Sequence, residues 1–197
     1  EALFIKEPGI GASVAWHRDG TTHWDSPDFD EGTHGFNFMA QLYGCTAANG
    51  VWVVPGTHKE RYVDIADMVT RAGSERIKEA VPMICEPGDV VISNRQAVHG
   101  SFANTSSDWR ITINQGFHRR KSVLGVKGGG LHGKPAVYDA ERIIRRSKII
   151  KLAIEARKQR FPDEKAFEYK PLSASKEDFT WNAAARKSLH DYNLLDL

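Results

Sequence analysis

The chain has 197 residues, of which 41% are hydrophobic and 26% charged, with a formal net charge of +2. These proportions suit one globular domain with a sizeable core, and the near-neutral balance creates no global field for nucleic acid or an anionic membrane. No run approaches the roughly 20 apolar residues that span a bilayer, and no basic, apolar leader opens the chain, so the expected location is the cytoplasm. Cys45 and Cys85 are too few for a disulfide framework or a cysteine zinc site, and they read as reduced, partly buried small hydrophobes.

In chain order, residues 3–6 read as a strand already in progress behind Glu1, which suggests a truncated amino terminus. Residues 12–17, 36–43, 51–54, 81–85, 89–93 and 110–117 read as further strands. Turn signals at Pro8-Gly9, Asp19-Gly20, Asn49-Gly50, Pro55-Gly56 and Pro87-Gly88 separate them. Asn49-Gly50 lies between two apolar runs and predicts a hairpin with positive φ at its centre. Residues 64–80 are the one helical interruption, carried by Ile65, Met68, Val69 and Ile77. Short strands at this density predict a mainly β sandwich or barrel, of which the jelly roll is one form.

Beyond about residue 122 the character changes. Gly128-Gly129-Gly130 is a flexible joint, and Asp139 caps a helix expected to reach Arg160, with Ile143, Ser147, Ile150 and Ile154 on one face. Residues 141–160 carry eight Lys/Arg against two Glu, a formal +6, which reads as a solvated helix packed by its isoleucines. A subunit contact or an anionic partner is the alternative. An amphipathic stretch over 181–195 closes the chain.

The chemistry gathers at Trp16-His17-Arg18-Asp19-Gly20. Residues two apart on a strand point to one face, so His17 and Asp19 can aim an imidazole and a carboxylate at one point. His99, after the apolar run at residues 90–92, is a candidate third ligand looking into the barrel mouth. Two histidines and one carboxylate leave metal positions open, a pattern associated with iron(II) oxygenases; zinc fits the ligand types, although structural zinc normally takes four protein ligands. Arg110 opens the strand 110–117, and an inward arginine needs an anion, which the distal carboxylate of 2-oxoglutarate would supply. The alternative for Arg110 is a surface ion pair with Asp108.

The series Trp16-His17-Arg18-Asp19-Gly20, Asn49-Gly50-Val51-Trp52-Val53-Val54-Pro55-Gly56-Thr57-His58-Lys59, Pro87-Gly88-Asp89 and His99-Gly100-Ser101 with Asn104, Ser106 and Arg110 resembles the phytanoyl-CoA dioxygenase family over about residues 3–118. The resemblance implies a double-stranded β-helix (jelly-roll) core with flanking α-helices over residues 1–122, and a C-terminal helical extension over 123–197 packed on the same domain. It implies iron(II), 2-oxoglutarate and dioxygen, and hydroxylation of an unactivated C–H bond in a small or lipid-like molecule. His17, Asp19 and His99 match the family's metal triad, Arg110 its 2-oxoglutarate arginine, and Ser101 a hydroxyl beside that carboxylate. Lys6 falls near the co-substrate, and Gln41 and Asn37 sit on a strand that could line the pocket. Trp16, His23, Trp24, His34 and Phe36 are candidates for the substrate side. Asp19 argues against halogenation, for which related enzymes carry a small residue. The family's helical region before the first core strand is expected to be missing from these residues, and Arg18 stands where glutamine is frequent, suited to an acidic substrate or to the outside of the barrel. His58 reads as part of a structural turn. A cupin-like metal oxygenase or isomerase without 2-oxoglutarate is the main rival. A non-catalytic binding protein and a nucleic-acid demethylase are others, and the C-terminal helices suggest a homo-oligomer contact.

Overall fold

A computed structural model describes residues 2–19, 34–129 and 135–189. Its contacts divide the chain into two compact units, Glu1–Ser122 and Val123–Leu197. The first is a jelly roll of two four-stranded sheets. Strands β1 (Ala2–Lys6), β3 (Gly35–Gln41), β6 (Val90–Asn94) and β8 (Arg110–His118) form one sheet in the order β1-β8-β3-β6. Strands β2 (Val14–His17), β4 (Trp52–Val54), β5 (Val81–Pro82) and β7 (Val98–Ser101) form the other, in the order β2-β7-β4-β5. The named pairings in both sheets are antiparallel.

The first sheet reverses the usual polarity. Along β3 the buried positions are Gly35, Asn37, Met39 and Gln41, while Phe36 and Phe38 take the other face. Strand alternation is intact, but polar side chains point inward, because the interior of this sandwich houses a polar site. The apolar packing lies instead behind the second sheet. There Val54, Val98 and Ile77 are buried together, with Trp16 and the apolar face of α1 (Ile65–Ala72) packed on them.

Several expectations are corrected. Asn49-Gly50 does not close a hairpin: β3 and β4 belong to different sheets, and residues 42–51 cross between them. Gly50 lacks a positive φ; a Cβ there would meet the Thr46 carbonyl, so close approach explains the glycine. Asn49 is 1% exposed and pins the crossing through Thr46 N and Ser106. The helix predicted over 64–80 ends at Ala72, where Gly73 adopts φ 64° as a left-handed cap. His99 lies within a strand, β7, which its polar composition concealed.

In the second unit, α2 (Arg120–Val123) ends across the boundary, and β9 (Lys127–Gly129) pairs with β10 (Pro135–Val137). Helix α3 (Ala140–Arg160) starts where expected, with the Asp139 carboxylate accepting from Arg142 N. Its face differs from the prediction: Ile143 is buried but Ile150 is 36% exposed, and Arg142 is buried with its guanidinium 5.2 Å from the Tyr138 ring centre. The helix charges are partly matched, Lys151 and Lys158 by Glu155, Lys148 by Glu177 and Arg157 by Glu164. A short helix α4 (Ala183–Ser188) follows, and the rest of the predicted closing stretch lies outside the described residues. No described helix is long and apolar enough to cross a membrane.

Arg18 neither reaches toward a substrate nor sits outside. It is buried, and its guanidinium donates to the carbonyls of Gln96 (2.8 Å), Glu60 (2.6 Å), Arg61 (3.1 Å) and Thr57 (3.3 Å). Between His17 and Asp19, it ties the end of β2 to the turn after β4 and to the approach to β7. Removing a buried guanidinium with several acceptors strands those carbonyls. Arg18→Met should therefore cost about 2–4 kcal/mol in denaturant unfolding; an unchanged midpoint would show that the clamp carries no stability.

Candidate functional site

The site begins with the pairing of β2 and β7. His17 stands directly opposite His99, while Val14 stands opposite Ser101, so β2 has one residue more than β7 over this stretch. That β-bulge explains how Val14 and His17, three apart, both line one cavity. The ring centres of His17 and His99 are 4.2 Å apart.

Each histidine has its tautomer set by a backbone carbonyl, which can only accept. His17 Nδ1 donates to Ala15 O at 2.7 Å and His99 Nδ1 to Ala97 O at 2.9 Å. Both Nε2 atoms are then left to face Asp19, at 3.4 Å from Oδ1 for His17 and 3.7 Å from Oδ2 for His99. The donor atoms of His17, Asp19 and His99 all lie within 4.8 Å of one another, so the three could hold a metal ion. Two imidazoles with Nδ1 anchored and a fixed carboxylate suit a divalent transition metal, with positions left for other ligands.

Asp19 is held from behind. Asn37 Nδ2 donates to Asp19 Oδ2 at 2.7 Å, Arg95 Nη2 lies 3.8 Å from the same oxygen, and Arg95 Nη1 donates to Asn37 Oδ1 at 2.6 Å. The backbone repeats the tie, Asp19 N donating to Arg95 O at 3.0 Å. Gly116 makes room, since a Cβ there would collide with the Arg95 guanidinium. Burial opposes ionisation of Asp19, but the hydrogen bonds from His17 and Asn37 and the Arg95 charge outweigh it and hold the carboxyl well below its usual range. The hydrogen bond to Asp19 raises His17, against the effect of burial, whereas burial lowers His99. The carboxylate is thus ionised and burial favours a neutral His99, as a metal site requires, whereas the bond to Asp19 favours a proton on His17 Nε2 that a metal would displace.

A cavity of about 540 Å³, including its open mouth, joins this cluster to Arg110. Phe4, Met39, Val51, Ser101, Thr112 and Asn114 also line it. Arg110 is 2% exposed, donates from Nη1 to Asn49 O at 3.3 Å, and has a buried Nε without a hydrogen-bond partner among the described residues. No ion pair with Asp108 forms, because Arg110 points into the interior. Lys6 is its direct partner across β1 and β8. Lys6 is 5% exposed and donates from Nζ to Ser101 Oγ at 2.8 Å and Phe102 O at 2.6 Å. Burial and then the Arg110 charge lower its pKa to about 8. Two buried cations face each other, and no described carboxylate pairs with either.

The remaining predicted residues scatter. Gln41 is buried but off the cavity wall, its Oε1 accepting from Thr112 Oγ1 (2.7 Å) and Cys45 Sγ (2.9 Å). Trp16 faces away from the cavity because its neighbour His17 faces in; its Nε1 donates to Glu75 O at 2.7 Å. Phe36 takes the outer face of β3, where it stacks on Phe117. His34 is buried against Ser122 Oγ at 2.9 Å and is not among the cavity residues. His23 and Trp24 lie outside the described residues. Sequence reasoning missed Arg95 altogether, and it missed Thr112 and Asn114, although both follow from Arg110 by period-two alternation.

Comparison with known proteins agrees with this architecture. A family profile described as phytanoyl-CoA dioxygenase matches residues 1–112. Phytanoyl-CoA dioxygenase 1 of Oryza sativa subsp. japonica is 31% identical over 115 residues, covering 54% of this chain and 39% of the relative. Dioxygenase cdmD of Talaromyces verruculosus is 37% identical over 109 residues, covering 53% and 33%. The chain thus spans less than half the length of these curated relatives. The crystal structure of EctD from S. alaskensis with 2-oxoglutarate and 5-hydroxyectoine superposes with a TM-score of 0.50 at 22% identity, covering 64% of this chain and 44% of that one, a likeness of fold. With its jelly roll and more than half its length matched by the profile, the chain belongs to the phytanoyl-CoA dioxygenase family.

Proposed function

We propose that this chain is an iron(II)- and 2-oxoglutarate-dependent dioxygenase that hydroxylates an unactivated C–H bond of a small or lipid-like molecule. One observation carries the reading: Lys6 and Arg110 are buried, face each other across β1 and β8, and meet no described carboxylate. Like charges directly opposite one another destabilise a sheet, and an unpaired buried cation is costly. An anionic ligand between them and the metal cluster relieves both penalties. A dicarboxylate suits this cavity, one end on the Arg110 fork with Ser101 and Lys6 beside it, the other toward the metal.

In this reading His17, Asp19 and His99 hold iron(II), and Asn37 and Arg95 fix the carboxylate that binds it. Bound there, the metal would activate dioxygen, which oxidises 2-oxoglutarate to succinate and carbon dioxide and hydroxylates the C–H bond. The protein anchors the ligands, neutralises the co-substrate's distal charge and encloses the reacting centre. Asp19 occupies the position that a halogenase of the family leaves small, which favours hydroxylation.

Arg110→Ala should raise the KM for 2-oxoglutarate roughly 100-fold or more in iron-dependent succinate release, while iron binding by the triad persists. An unchanged KM would favour a metal oxygenase or isomerase that uses no 2-oxoglutarate. Lys6 adds a pH dependence. Below about pH 8 it is protonated and attracts a dianion; above that value the charge, and its contribution to binding, is lost. Calorimetric affinity for 2-oxoglutarate should fall as pH rises through about 8, and Lys6→Met should bind more weakly at neutral pH without that fall. A flat profile in the unaltered protein would remove Lys6 from the co-substrate's surroundings.

A further inference from the structure

The crossing between the sheets brings together two side chains that the site chemistry does not use. Cys45 and Cys85, forty residues apart in sequence, form an isolated antiparallel bridge. Cys45 N donates to Cys85 O at 2.8 Å and Cys85 N to Cys45 O at 3.0 Å, a fully hydrogen-bonded pair. Both thiols are free and both residues buried, Cys45 at 3% exposure and Cys85 at 9%. Residues so paired point to the same face of the sheet, with Cα atoms about 5.5 Å apart, within the span of a disulfide.

We propose that Cys45 and Cys85 are a reversible disulfide site that weakens co-substrate binding when oxidised. The effect on binding rests on the proposed function, whereas the thiol chemistry does not. Cβ atoms in a hydrogen-bonded pair stand up to about 5.5 Å apart, and a disulfide needs roughly 4 Å, so closure must draw the two segments together. A bond formed under that distortion is readily reduced, which marks a labile bridge rather than a permanent staple.

The coupling runs through named contacts. Cys45 Sγ donates to Gln41 Oε1 at 2.9 Å, the same oxygen that accepts from Thr112 Oγ1 at 2.7 Å on the cavity wall. Four residues after Cys45, Asn49 offers its carbonyl to Arg110. Oxidation would take the sulfur from Gln41 and drag the segment that carries Asn49, disturbing both supports of the arginine region. Burial pushes both thiols up, and the Arg110 charge works against that for Cys45, so oxidation runs through a minor thiolate fraction that grows as pH rises.

The oxidant required is a peroxide. The more accessible Cys85 loses its proton and, as thiolate, attacks the O–O bond to give a sulfenic acid and hydroxide, which takes up that proton to become one water. Cys45 sulfur then displaces the hydroxyl as a second water and closes the S–S bond. Two thiols lose two hydrogens and one hydrogen peroxide becomes two waters.

The test treats the full chain with hydrogen peroxide, then counts alkylatable thiols by intact mass and measures calorimetric affinity for 2-oxoglutarate before and after dithiothreitol. The expected result is a monomer short of two hydrogens, with roughly tenfold weaker 2-oxoglutarate binding that dithiothreitol reverses. Cys85→Ser and Cys85→Ala should bind like the reduced protein and be insensitive to mild peroxide. Two free thiols after treatment, oxidation of each cysteine separately, or a disulfide that leaves affinity unchanged would each overturn the proposal. If the reduced protein binds no 2-oxoglutarate, the coupling proposal falls with the functional reading, while the mass measurement still decides whether the bridge forms.

Discussion

The pairing of β2 with β7, in the register that sets His17 opposite His99, is the constraint on which the site depends. It brings two imidazoles from distant parts of the chain to one carboxylate, and the bulge turns Val14 inward beside His17. Arg18 fixes the same strand from the opposite side by gripping four backbone carbonyls. The alternation His17, Arg18, Asp19 therefore does two jobs: the odd positions face the cavity and the even one secures the strand to its surroundings. Arginine at this position is explained by that clamp and needs no acidic substrate.

The charges of the interior divide into two groups along one cavity. At one end the Asp19 carboxylate is surrounded by His17, His99, Asn37 and the Arg95 guanidinium, a set that leaves it ionised and immobile. At the other end Lys6 and Arg110 share a cross-strand position with no described anion between them. Such an interior is poor material for a hydrophobic core, and the principal apolar cluster has moved behind the second sheet, where Trp16, Val54, Ile77 and Val98 meet α1. The fold stores its stability on one side and its chemistry on the other. The Cys45–Cys85 pair sits where the chain crosses between the sheets, linked to the cavity wall through Gln41 and Thr112.

Much of this could be read in the sequence, for physical reasons. His17-x-Asp19 was legible because two-residue periodicity is local, and most strands were legible because their apolar runs are punctuated by glycine and proline turns. The Asp139 cap was visible for the same reason. Strand β7 was not, since Val98-His99-Gly100-Ser101 alternates between a site and a core rather than between a core and solvent. The inverted polarity of β3 hides its faces in the same way: Phe36 reads as a pocket residue but lies outside, while Asn37 lies inside and grips Asp19. Trp16 failed because adjacent residues on a strand cannot both face the cavity. Arg95 and the cysteine pair depend on contacts between distant segments, which no local pattern encodes.

In the proposed reading one cavity holds a metal at His17, Asp19 and His99 and a keto acid that reaches from it to Arg110. The direct measurement is an oxygen-free titration of the iron(II)-loaded chain with 2-oxoglutarate, followed in the visible spectrum. A saturable, weak charge-transfer band of a metal-bound 2-keto acid is the predicted result, present in the unaltered chain and lost when His99 is replaced by alanine. No band despite stoichiometric iron, or a band indifferent to the loss of His99, would contradict the account.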